Sequence, residues 1–211
     1  MNTFSALLLR STFYMGLMIL SAYLFSLEGF NAKTESVYGE DSVTELLHDT
    51  FAFLSAVILF IAATQTKALK PAAITLATLL SMMLVREFDE VLDTHVFDGA
   101  WQLIVLGIII SSTIYIRRLA YPFKDSLLKY ANTSSAGIFL SGLLVVIVFS
   151  RLIGRGVFWQ SVMGENYLRV VKNIAEEGTE LLGYTLLLIA AIEFLWVVIK
   201  DKRARVTNAS E

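Results

Sequence analysis

Leu181-Leu182-Gly183-Tyr184-Thr185-Leu186-Leu187-Leu188-Ile189-Ala190-Ala191-Ile192-Glu193-Phe194-Leu195-Trp196-Val197-Val198-Ile199 is a run of 19 residues carrying one charge. At 1.5 Å per residue a helix of this length is about 28 Å long, close to the hydrocarbon thickness of a bilayer. A helix on the surface of a soluble protein shows one apolar stripe, whereas this segment is apolar around its whole circumference, which predicts a membrane span. The same reading applied outward along the chain gives spans over residues 6–27, 44–66, 70–89, 99–117, 130–151 and 178–199. The expected fold is all-α: a polytopic membrane protein, a six-transmembrane-helix bundle forming a single integral membrane domain over residues 1–211. Pro71 falls in the first turn of the third span, where a helix tolerates it. The first run has no small-x-small cleavage site before Glu28, so an uncleaved helix is expected rather than a signal peptide.

Composition supports this reading. Of 211 residues, 56% are hydrophobic and only 17% charged, and the mean hydropathy is +0.66; soluble chains carry about 25% charged residues. The absence of cysteine excludes disulfides, thiolate zinc sites, cysteine nucleophiles and cysteine-ligated clusters. A net charge of −2 offers no basic footprint for nucleic acid. No haem motif and no nucleotide-binding loop is present, nor any His-Glu-x-x-His or Gly-x-Ser-x-Gly.

Lysine and arginine set the orientation, because cytoplasmic loops retain them. Arg10, Lys67, Lys70, Arg117, Arg118, Lys124, Lys129, Lys200, Lys202, Arg203 and Arg205 fall on one side. Lys33, Arg86, Arg151, Arg155, Arg169 and Lys172 fall on the other, where the first two loops are acidic: Glu28, Glu35, Glu40 and Asp41, then Glu87, Asp89, Glu90, Asp93 and Asp98. The expectation is a multi-pass protein of the cell inner (plasma) membrane with both termini cytoplasmic. The sequons Asn132-Thr133-Ser134 and Asn208-Ala209-Ser210 then face the cytoplasm and escape glycosylation. Between spans five and six, Val157-Phe158-Trp159, Met163, Tyr167-Leu168 and Val170-Val171 alternate with polar residues, predicting an interfacial amphipathic helix.

Ionisable residues at membrane depth are costly, so their placement bears on function. Three clusters stand at the expected exterior ends of helices. In Thr44-Glu45-Leu46-Leu47-His48-Asp49, the residues Glu45, His48 and Asp49 share a helix face. Thr44 as a cap and acids at the positive helix end account for Glu45, less well for His48 and Asp49. In Arg86-Glu87-Phe88-Asp89-Glu90-Val91-Leu92-Asp93-Thr94-His95, a continuous helix puts Arg86, Asp89, Glu90 and Asp93 on one face. Carboxylates at a helix C-terminus oppose the macrodipole, so a cation or metal is expected to offset them; His95 adds a nitrogen donor. In Lys172-Asn173-Ile174-Ala175-Glu176-Glu177-Gly178-Thr179-Glu180, three acids lie within five residues, more than capping requires. Thr179-Glu180-Leu181-Leu182 also repeats Thr44-Glu45-Leu46-Leu47 and places Glu45 and Glu180 at one expected depth. Glu193, inside the last span, calls for a partner, and Arg10 at a similar expected depth is the leading one; Arg151 is positioned by sequence to reach the exterior acids.

Two classes of function remain. Glu45, His48, Asp49, Glu87, Asp89, Glu177 and Glu180 form a candidate metal site, with Arg86, Asp93, His95, Glu176 and the Arg10–Glu193 pair in support. Mixed imidazole and carboxylate donors suit a divalent zinc, iron or manganese ion, and a bound metal can activate water to hydrolyse a lipid-linked or periplasmic substrate. The alternatives are a small cation-coupled transporter or channel-like protein, and a non-catalytic membrane scaffold or assembly factor. The one partner expected is the lipid bilayer.

Overall fold

A computed structural model of the chain describes residues 3–31, 38 and 42–209. Lys33, Glu35, Glu40 and Asp41 of the first exterior loop lie outside these residues, as do Ser210 of the second sequon and the side chain of Arg205. Every regular element among the described residues is helical. Five helices are long and apolar enough to cross a membrane: Phe4–Phe30, Val43–Gln65, Ala100–Arg117, Ser134–Ile153 and Arg169–Ala204. The third expected span is instead a pair of helices, Lys70–Glu87 and Asp89–His95, bent by 59°.

The chain forms two compact units, Met1–His48 with Leu140–Ile189, and Asp49–Phe139 with Ala190–Glu211. In the first unit, α1 (Thr3–Asn31) leaves Leu7, Leu9, Phe13, Met15 and Ile19 more than half exposed, the surface expected of a helix in lipid. Its opposite face meets α10 (Arg169–Ala209). There Ser21 accepts a hydrogen bond from the Thr185 hydroxyl at 3.1 Å, and the Phe25 ring fills the space over Gly178.

Helix α2 (Val43–Gln65) is not capped by Thr44. Ser42 Oγ accepts from the Glu45 amide at 3.0 Å, and Ser42-Val43-Thr44-Glu45 has the spacing of a capping box. The Thr44 amide and hydroxyl instead donate to Glu28 Oε2 at 2.8 and 2.7 Å. A carboxylate from the end of α1 thus satisfies an orphan donor at the positive end of α2.

Helix α7 (Ser134–Leu144) passes through a π turn at Val145–Phe149 into α8 (Ser150–Ile153). It crosses α10 closely at two glycines. A methyl group on Gly142 would lie 2.9 Å from the Gly183 carbonyl oxygen, a crossing of the small-residue kind that membrane helices favour. Between residues 151 and 174 the chain forms α9 (Gly156–Met163), a 3-10 turn at Gly164–Asn166 and the first turns of α10. Val157, Phe158, Val162 and Leu168 are at least half exposed, while Trp159 donates its indole N–H to the Ile153 carbonyl at 2.6 Å.

In the second unit, α3 (Lys70–Glu87) buries Ala72, Ala73, Leu76, Ala77 and Leu80. The spacing of these residues makes a face narrow enough for close packing on α5 (Ala100–Arg117) and α6 (Phe123–Ala131). Ser126 of α6 accepts from the Ala72 amide at 3.1 Å, satisfying a first-turn donor of α3 that has no partner within its own helix.

The break at Phe88 removes the electrostatic conflict expected of this segment. A continuous helix would place Asp89 and Glu90 at a negative end. Because the chain bends, they occupy the first turn of α4 (Asp89–His95), where the dipole favours them. Asp89 accepts from the Glu90 amide at 2.7 Å and Asp93 from the Gly99 amide at 3.0 Å. Gly99 sits at φ +85°, a conformation that glycine adopts without steric cost, and it turns the chain into α5. Helix-end chemistry therefore accounts for Asp89 and Glu90, while Glu87 remains in the last turn of α3.

Candidate metal centre

The first unit brings together residues from two of the three clusters. His48 occupies the second turn of α2 and is 4% exposed. Glu177 and Glu180 are three apart on α10, hence on one face. His48 Nδ1 lies 3.6 Å from Glu177 Oε2 and 4.0 Å from Glu180 Oε2, and one donor atom from each of the three residues falls within 4.8 Å of the others. These three are the group of metal-donor side chains found among the described residues.

The geometry separates ligation from simple hydrogen bonding. An N–H···O bond spans about 2.7–3.2 Å, shorter than either contact. Zinc–nitrogen and zinc–oxygen bonds near 2.1 Å place tetrahedral ligand atoms about 3.4 Å apart. Separations of 3.6 and 4.0 Å are close to that edge. They leave room for an ion between the groups.

The two oxygens of Glu180 have different surroundings. Oε1 lies 3.0 Å from the Ser150 hydroxyl, whose one proton it shares with the Val146 carbonyl oxygen at 2.5 Å, and 3.4 Å from Arg151 Nη2, while Oε2 is the atom nearest His48. Holding one oxygen aims the other, which is how partners beyond the ligands orient a metal site. Arg151 also lies 3.8 Å from Glu176, and Lys172, one turn earlier on α10, pairs with Glu176. Two cations therefore balance Glu176 and part of Glu180. The His48 ring stacks on Tyr184, centroids 5.5 Å apart, which fixes the ring plane. His48 Nε2 is buried with no hydrogen-bond partner among the described residues.

The other expected site residues are placed differently. Glu45, half-buried, is not a member of the three-residue group, although its charge acts on Glu177 together with those of Glu176, Glu180 and Lys172. Asp49, Glu87 and Asp89 are not members either. Arg86 lies 3.7 Å from Glu87, and His95 Nδ1 is 3.0 Å from the Val91 carbonyl oxygen of its own helix. In the second unit, buried Glu193 accepts from the Ser134 hydroxyl at 2.6 Å. Ser150 is the residue that sequence reasoning missed; its only signal was a hydroxyl ending an apolar run beside Arg151. No protein family, curated protein or solved structure matches this chain.

Proposed function

We propose that this protein is a polytopic membrane metalloprotein binding one divalent transition-metal ion through His48, Glu177 and Glu180. The observation that carries the reading is the spacing of their donor atoms, too long for hydrogen bonds and close to the edges of a metal's ligand shell. One imidazole and two carboxylates suit zinc, iron or manganese. In this reading the bent pair α3–α4 completes six crossings, both termini are cytoplasmic, α9 lies at the interface, and the metal sits at the exterior end of the bundle. The asymmetry of lysine and arginine supports that orientation.

A divalent metal held by His48, Glu177 and Glu180 would supply Lewis acidity and lower the pKa of water toward neutrality. The chemistry this reading supports is hydrolysis of a lipid-linked or exterior substrate, with Glu45 of α2, whose charge acts on Glu177, as the group to take a proton. The ion pairs of Arg151 and Lys172 favour a second reading, a structural ion network that stiffens a scaffold protein.

Metal analysis of the purified, dialysed protein separates the two. Near one equivalent of zinc, iron or manganese in the wild type, lost in the Glu177→Gln/Glu180→Gln double variant, supports the metal centre. A metal-free wild type in metal-supplemented cells, or a double variant that keeps its metal, overturns it. Reporter fusions after Lys202 that are active only in the exterior compartment overturn the orientation.

A further inference from the structure

Within the second unit a cavity of about 710 Å³ opens between α3, α5 and the start of α6, inside the range of small-molecule sites. Leu79, Met82, Ile109, Ile116 and Phe123 line it, with Arg117 at one end. From Ile109 to Arg117 along α5 the groove is about 12 Å long. Two of its five hydroxyls are taken up by their own helices, Thr75 donating to the Pro71 carbonyl and Ser112 to that of Ile109, while Thr78, Thr113 and Tyr121 also line it. The groove is thus an apolar channel with one strongly polar end.

That end carries an uncommitted cation. Arg117 makes no ion pair, hydrogen bond or ring contact through its side chain among the described residues. The neighbouring cavity, lined by Lys70 and Tyr115, differs in this respect, because Lys70 Nζ stands 5.4 Å over the Tyr115 ring. Arg118 and Lys124 lie on the same connection as Arg117 with no carboxylate in ion-pair range among the described residues. A guanidinium with no carboxylate partner, closing an apolar groove on a helix long enough to cross a bilayer, is complementary to one kind of molecule: an anionic amphiphile.

We infer that this groove binds an anionic phospholipid, its phosphate on Arg117 and an acyl chain between Leu79, Met82, Ile109 and Ile116. Guanidinium forks match phosphate oxygens in bidentate fashion, and basic pockets between membrane helices recognise acidic headgroups. The inference uses the apolar helices but is independent of the metal centre, so either can fail alone.

The test titrates delipidated full-length protein, in neutral detergent, with phosphatidylglycerol or phosphatidylcholine and counts retained lipids by native mass spectrometry. The wild type should prefer phosphatidylglycerol. Arg117→Gln should reduce that preference about fivefold, the contribution of one basic residue near a lipid headgroup. Arg118→Gln, at the adjacent position that does not line the groove, should leave it unchanged. Met82→Trp should displace both lipids by filling the channel. Equal binding of the two lipids by the wild type overturns the inference. So does an Arg118 variant as damaging as the Arg117 one, which marks diffuse surface charge, or retention of phosphatidylglycerol by the Met82 variant.

Discussion

Replacing Glu180 with glutamine keeps the size of the side chain and changes the two things its surroundings depend on. The carbonyl oxygen of the amide can still accept from Ser150, which now donates to Oε1 at 3.0 Å. The other end becomes an NH2 group facing His48, where Oε2 stood 4.0 Å from Nδ1. An amide nitrogen is no metal ligand, so the donor set falls from three to two. Loss of partners outside the ligand shell already costs about 10–100-fold in affinity; loss of a ligand should exceed a hundredfold. With free metal at 100 times the wild-type Kd, binding stabilises the folded protein by about 2.7 kcal/mol, and the hundredfold weaker variant gains only about 0.4 kcal/mol. At about 2–4 °C per kcal/mol for a chain of this size, metal should raise the wild-type Tm by about 5–11 °C and the variant's by about 1 °C. Thermal unfolding in detergent, with zinc added or chelated, reads this directly. A variant whose Tm rises with zinc as much as the wild type's would refute the reasoning.

Ser150→Ala removes one of the groups that hold Glu180 Oε1 and should weaken metal affinity by about tenfold, the low end for such a partner; an unchanged zinc titration removes Ser150 from the positioning role. Gly142→Ala pushes a methyl against the Gly183 carbonyl oxygen at 2.9 Å and should cost about 1–3 kcal/mol. Gly107→Ala, with open space around the new methyl, should be neutral or stabilise by up to about 1 kcal/mol, and equal unfolding temperatures for the two would contradict the close crossing. Ser134→Ala removes the 2.6 Å bond to buried Glu193 and should destabilise by about 1.5–3 kcal/mol, measured as a lower Tm that Ser134→Thr recovers.

The helical class and most helix positions were legible because long charge-free runs have one cheap solution in lipid, with every backbone group satisfied inside its own segment. The site was legible in part. His48 stood out as an ionisable residue followed at once by an apolar run, and Glu177 and Glu180 exceeded what an N-terminus needs. Their meeting depends on how α2 and α10 pack within the first unit, which no local pattern encodes. The segment from Arg86 to Asp93 differs from its sequence pattern for the opposite reason. Its spacing fits one helical face, but the bend at Phe88 moves Asp89 and Glu90 from a C-terminal to an N-terminal turn, and no proline or glycine marks it. Capping by Thr44 is a local possibility that the sequence offers; the carboxylate that engages it, Glu28, lies 16 residues away.

The π turn at Val145–Phe149 works as a register adjuster. In an α-helix of 3.6 residues per turn, positions four apart drift by about 40° at each step, so Gly142, Val146 and Ser150 would spiral away from a straight partner. One wider turn cancels that drift. It lets the same edge of the segment offer a glycine where α10 comes closest, and a hydroxyl and a guanidinium where Glu180 waits. Such a turn is formally a helix with one extra residue. Deleting any one of Val145, Val146, Ile147, Val148 or Phe149 should therefore restore regular winding and leave Ser150 and Arg151 facing Glu180, whereas deleting a residue from the regular helix of α7 should rotate them by about 100° away from it. The turn is thus the one place in this segment where a residue can be lost without turning the site's partners away.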